Sequence, residues 1–162
     1  MDKNLARWIF QSIALHFQSV ASGISLPYFV EGIDERSDAD MRANHVELRV
    51  TGPDIKEVSK NFWDISVTIN FLFTERMDLR GADAFSLIQW TGVFANTMLQ
   101  PIGIYKKGTG PDDNVNTLLG CLQVKKGRNE AVRVFHFGQL KPDVRVRMSE
   151  VDAVYGMDLH TN

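Results

Sequence analysis

The sequence predicts an α+β fold: a mostly antiparallel β-sheet packed by two helices, with a β-rich stretch at the C-terminal end. Three observations carry that prediction. The run 61–74, NFWDISVTINFLFT, places Trp63, Ile65, Val67, Ile69, Phe71 and Phe73 at every second position, a period that gives a strand one wholly apolar face. Near the N-terminus, and again between Phe85 and Leu99, apolar residues recur at helical spacing instead. After Pro101, short apolar runs alternate with turns rich in Gly, Pro, Asn and Asp. A chain of 162 residues fits one domain. The expected division is a helix-sheet-helix core over residues 1–100 and a β-rich extension of the same domain over 101–162.

The first helix covers Asn4 to Val20. Leu5, Trp8, Ile9, Ser12, Ile13, His16 and Val20 mark its inner face, Asp2 or Asn4 suits the N-cap, and Gly23 stands near its end. LPYFVEG, residues 26–32, reads as a strand, and the polar segment DERSDADMRAN that follows reads as a long loop. In His45–Val50, Val46, Leu48 and Val50 point one way and His45, Glu47 and Arg49 the other. Thr51-Gly52-Pro53-Asp54 signals a turn, after which Ile55 to Asn61 leads through a short helical turn into the long strand. Asp83 suits the cap of a second helix that runs through Phe85, Ile88, Gly92, Ala95 and Leu99 and stops before Pro101. That helix is apolar on more than one side, which implies burial against both the sheet and a second body, either the first helix or a neighbouring subunit. Five further strands are expected at 102–106, 118–125, 131–137, 143–148 and 151–159, with Arg145 and Arg147 on the face opposite Val144, Val146 and Met148.

Composition narrows the function classes. The net charge of -2 gives no global attraction to nucleic acid. Charge is nevertheless polarised: residues 106–147 hold nine Lys or Arg against four acids, whereas 31–40 holds five acids and only Arg36. Head-to-tail contacts between copies suit that polarity, as do solvated loops. Cys121 is the only cysteine, which excludes an intrachain disulfide, fits a reducing compartment, and suggests a small buried residue rather than a reactive thiol. The N-terminus is interrupted by Arg7, Gln11, Ser12 and His16, so neither a signal peptide nor a membrane span is expected, and a cytoplasmic product is.

Motifs for chemistry are weak. His16, His45, His136 and His160 lie in different elements without a second ligand at metal spacing, and His160 is expected in a frayed tail. Gly108-Thr109-Gly110-Pro111 is followed by neither GK[ST] nor a helix, so it reads as a hairpin loop, and Asp112 and Asp113 lack calcium-loop spacing. Ser86, Ser149 and Cys121 occupy no nucleophile elbow. Lys125, Lys126, Arg128, Arg133, Arg145 and Arg147 give a basic strand surface without any RNP-like aromatic motif; Phe135 and Phe137 serve equally as core. No catalytic, metal or cofactor site is expected.

The order of elements resembles the tail-terminator or tail-completion (neck) proteins of long-tailed bacteriophages. The residues that carry the resemblance are the helix 4–20, the pair HVELRVTGP and NFWDISVTINFLF, the helix 82–99 and the strand PIGIYKKG, roughly the first two thirds of the chain. The closing HFGQLKPDVRVRMSEVDAVYGMDL is similar to the strand endings of phage virion proteins. The resemblance implies a non-enzymatic virion protein that forms a homo-oligomeric, hexameric ring, caps the tail tube, joins it to the head connector, and lets DNA pass through its lumen. The longer C-terminal β region also fits a tail-tube or minor tail protein, and a small α+β enzyme or ligand-binding domain is the alternative of another class. The candidate assembly-interface residues are the bases Arg133, Arg145 and Arg147 and the acids Asp34, Glu35, Asp38 and Asp40.

Overall fold

A computed structural model describes residues 2–77, 85–106, 117–125, 131–139 and 145–160. The expected cap Asp83, the 108–113 loop with Asp112 and Asp113, and Lys126, Arg128, Asp143 and Val144 lie outside the described residues. The described elements are α1 (Leu5–Gly23), β1 (Tyr28–Val30), α2 (Asp38–Met41), β2 (His45–Ser59), β3 (Phe62–Arg76), α3 (Ser86–Met98), β4 (Ile102–Lys106), β5 (Thr117–Val124), β6 (Arg133–Gln139) and β7 (Val146–His160). The fold is α+β. It departs from the expectation in having a third helix and a parallel pairing between β1 and β2.

Strand order is β1-β2-β3-β7-β5-β4, with β6 also paired to β7. β3 supplies the spine. Ile65, Val67, Ile69, Phe71 and Phe73 are buried, and the residues between them face outward, as a period of two requires. β3 pairs along its whole length with β7, from Phe62 opposite His160 to Arg76 opposite Val146. The C-terminal third therefore contributes the strand beside the spine. Two strands expected at 143–148 and 151–159 are one, because Ser149 and Glu150 keep the alternation: Ser149 is buried on the inner side and Glu150 lies on the outer. His160 consequently ends a strand, its ring 4.5 Å from that of Phe62, and is no frayed tail.

The turn expected at Thr51–Asp54 is instead a bulge within β2, which continues to Ser59. Gly52 adopts φ 107°, open to glycine and strained for other residues. The hairpin reverses at Lys60-Asn61, so the helical turn expected before β3 is replaced by strand. The long loop contains α2, started by a capping box in which the Ser37 hydroxyl and the Asp40 carboxylate satisfy each other's backbone amides.

Both long helices cover the inner face. α1 buries Leu5, Trp8, Ile9, Ser12, Ile13, Phe17 and Ala21; His16 and Val20, expected inside, sit half-buried at the flank. Phe17, Phe71, Phe73 and Phe94 interlock with ring centroids 4.5–5.9 Å apart, joining both helices to β3. The Tyr155 hydroxyl donates to the Met98 carbonyl at 2.6 Å and ties the end of α3 to β7.

Candidate assembly surfaces

Two borders of the sheet differ chemically. At one end stands β1, followed by the acidic segment. Gly32, at φ 76°, turns the chain so that the Val30 amide donates to Asp34 Oδ2 at 2.7 Å. Asp34 and Glu35 line a cleft of about 330 Å³ with Ala14, Gln18, Tyr28 and Phe29. The Tyr28 hydroxyl, donating to the Ala14 carbonyl at 3.1 Å, is held protonated to high pH by burial and by the nearby Asp34 charge. Asp38 and Asp40 lie in the first turn of α2, where the helix dipole favours them. The hydrogen bonds from Ser37 hold Asp40 below its usual carboxylate range. The base of this segment, Arg36, turns inward: it pairs with buried Glu47 and its guanidinium lies 5.9 Å from the Phe29 ring centroid. Arg49 closes the same cluster, 2.9 Å from Glu47 and 3.5 Å from Glu31. Among the described residues no Lys or Arg pairs with Asp34, Glu35, Asp38 or Asp40.

β6 borders the sheet elsewhere, pairing with β7 off the path that ends at β4. Arg133 forks onto Asp152 of β7, with Nε 3.0 Å from Oδ1 and Nη2 on Oδ2, and its guanidinium lies 5.7 Å from the Phe135 ring centroid. That pairing raises the Arg133 pKa. Arg147 sits on the opposite, inner side of the sheet, against expectation, with Nη2 2.6 Å from Oε2 of fully buried Glu75. Glu75 also accepts from Ser86. The Arg145 carbonyl accepts from the Met77 amide at 2.7 Å. The structure thus does not assemble the expected basic patch: Arg133 and Arg147 occupy different faces and both are engaged within the chain.

What sequence reasoning missed lies on β6. Phe135, 43% exposed, stands on the outer face opposite Glu150, Phe137, 50% exposed, lies in a bulge between His136 and Gly138, and Val134 is 40% exposed on the inner face. Apolar residues on both faces gave periodicity nothing to choose between, and a strand bordering the sheet leaves them uncovered. Cys121, expected buried, is exposed, because its neighbour Leu122 takes the inward position.

The arrangement offers little chemistry. His136 Nδ1 is 2.6 Å from Ser149 Oγ, but Ser149 is fully buried and out of reach of a substrate. Asp64 and Asp158 oppose each other across β3 and β7 in an open cleft of about 380 Å³. Lys125 Nζ, 3.4 Å from Asp64, offsets part of that repulsion, its stem crossing the sheet over Gly156. No group of three side chains among the described residues is placed to hold a metal ion, and no described helix is long and apolar enough to cross a membrane. The chain matches no protein-family model and no curated protein.

Proposed function

We propose that this chain is a structural subunit of a long-tailed phage virion, a ring-forming tail terminator or neck protein that joins the tail tube to the head connector. Its partners are further copies of itself in a hexameric ring and the adjoining tail or connector proteins; it acts in the virion after synthesis in the host cytoplasm. DNA passes the lumen without sequence-specific contact. The observation that supports this reading is the inequality of two sheet borders, the β1 end and the branch strand β6. β6 is a seven-residue strand whose Val134, Phe135 and Phe137 are exposed; it carries neither lysine nor proline, and only Arg133 and the bulge between His136 and Gly138 guard this border. At the β1 end Asp34, Glu35, Asp38 and Asp40 have no Lys or Arg partner among the described residues. Two different, mutually acceptable borders make a heterologous contact, and such contacts close into rings by rotation.

The test is size-exclusion with light scattering and negative-stain microscopy on the wild type and on Phe135→Lys with Phe137→Lys. Closed rings that the double variant converts to folded monomers support the reading. Stacks that grow into tubes assign the chain to the tail tube or a minor tail position instead. A monomer that saturably binds a small molecule overturns it. Arg147→Glu is unsuitable as a surface probe, because it would strand buried Glu75.

A further inference from the structure

Two outer borders of the sheet are closed within the subunit. At β1, the Val30 amide donates to Asp34 Oδ2 at 2.7 Å and its carbonyl accepts from the Ile33 and Asp34 amides at 3.1 and 3.0 Å. At β4, α1 lies alongside and the Tyr105 amide donates to Ser12 Oγ at 3.0 Å. Two other stretches are different. β2 outruns β1, which pairs only with residues 46–48, so beyond the bulge at Gly52-Pro53 residues 54–59 run beside β3 alone. β6 runs beside β7 alone. Among the described residues, neither stretch has a backbone partner on its other side. Both also expose apolar side chains, Val58 on β2 at 58% and Phe135 and Phe137 on β6. An unpaired row of N–H and C=O groups at strand spacing is a template for another strand.

We propose that these two open edges meet: β6 of one copy adds to the 54–59 edge of β2 in the next, and the sheet continues from subunit to subunit. This rests on the ring reading and names its contact. Strand direction favours a second copy as the occupant. β2, β3, β7 and β6 each run antiparallel to the one before, so a copy brought alongside by rotation about the ring axis sets its β2 antiparallel to β6, with the helix-covered faces on one side. A two-fold pairing of β6 with β6 would leave the β2 edge bare, whereas the head-to-tail contact covers both. Charge agrees, for β6 carries Arg133 and no acid, and the β2 edge carries Asp54 and Glu57 against Lys56. β6 lies beside the 147–152 part of β7, while 54–59 lie level with its 156–160 part. Successive copies are therefore staggered along the strands, and the strands slant across the ring, as closing a sheet requires.

Two variants block one edge each: Val58→Lys with Ser59→Lys on β2, and Phe135→Lys with Phe137→Lys on β6, lysine being a residue that guards natural edges. In sedimentation velocity each alone should be a folded monomer. Their equimolar mixture should give a dimer holding one of each and nothing larger, because it brings one intact β2 edge to one intact β6 edge. In hydrogen exchange, peptides covering 54–59 and 133–139 should slow about tenfold or more when the wild type assembles. That measurement needs no substitution, so it decides even where a lysine pair impairs folding. Rings that persist in the β2 variant, a mixture of folded variants that stays monomeric, or exchange in either stretch that assembly leaves unchanged would overturn the edge pairing while wild-type rings keep the ring reading. A wild type that is monomeric at every concentration removes both.

Discussion

Glu75 decides what Arg147 does. Fully buried at the end of β3, its carboxylate is held by Arg147 and Ser86, and its Oε2 has no well-aligned hydrogen-bond donor despite the 2.6 Å approach of Nη2. Removing one member of a buried pair leaves the other charge without compensation, so Arg147→Met should cost about 3–5 kcal/mol in urea unfolding, and adding Glu75→Leu should restore most of it. His16 poses the opposite case, a group that folding keeps neutral. Its Nε2 is enclosed without a hydrogen-bond partner, and burial lowers its pKa from 6.5. The unfolded chain therefore takes up a proton before the folded one. The stability that neutral His16 permits is fully present above pH 6.5 and falls away as pH drops from there to the folded value. His16→Gln should flatten that part of the pH profile of the urea midpoint, and an unchanged slope would assign it to other groups. Neither role was legible in the sequence, because an alternating arginine reads as solvated and a histidine on a helical stripe as core; only the packing around each tells otherwise.

Elements were legible where one periodicity held without interruption. β3 and α1 follow directly from residue spacing, since each buries one unambiguous face. β2 did not, because Gly52 and Pro53 are local turn formers that a long partner strand overrides: pairing resumes with Asp54 opposite Ser66 and Ile55 opposite Ile65. The extra residues leave the ladder as a bulge. A Cβ at Gly52 would lie 3.1 Å from both the Ser66 carbonyl oxygen and the Asp54 amide, in a backbone at φ 107°. Gly52→Ala should accordingly destabilise the fold by about 1–3 kcal/mol in chemical denaturation. A neutral effect would mean that the bulge relaxes into regular pairing. The same reasoning explains α2, a single turn set by the reciprocal Ser37 and Asp40 bonds, too short for any hydrophobic period to announce. Phe94 marks the other extreme. It contacts Phe17, Phe71 and Phe73 from α3, and Phe94→Ala should cost about 3–5 kcal/mol by removing the ring on which both helices meet the sheet.

At the scale of the whole molecule, the proposed ring contact joins an end rich in carboxylates to a bordering strand, β6, that exposes aromatic side chains, and the two contributions differ in how they respond to salt. Charge acts at a distance in the encounter and is screened within about 10 Å at 0.1 M ionic strength, whereas apolar burial acts once the surfaces touch. Substituting Asp34→Asn and Glu35→Gln should therefore change the association rate by up to about tenfold at low salt, with the difference vanishing near 1 M. Phe135→Lys with Phe137→Lys should instead speed dissociation at every ionic strength, because it removes contact area rather than long-range attraction. Stopped-flow light scattering on mixed wild-type and variant subunits reads both rates. If the carboxylate pair changes dissociation alone, or the aromatic pair changes association alone, the division of labour between the two sheet borders is wrong. If neither pair changes either rate, the ring contact lies elsewhere and the exposed strand β6 serves a different neighbour.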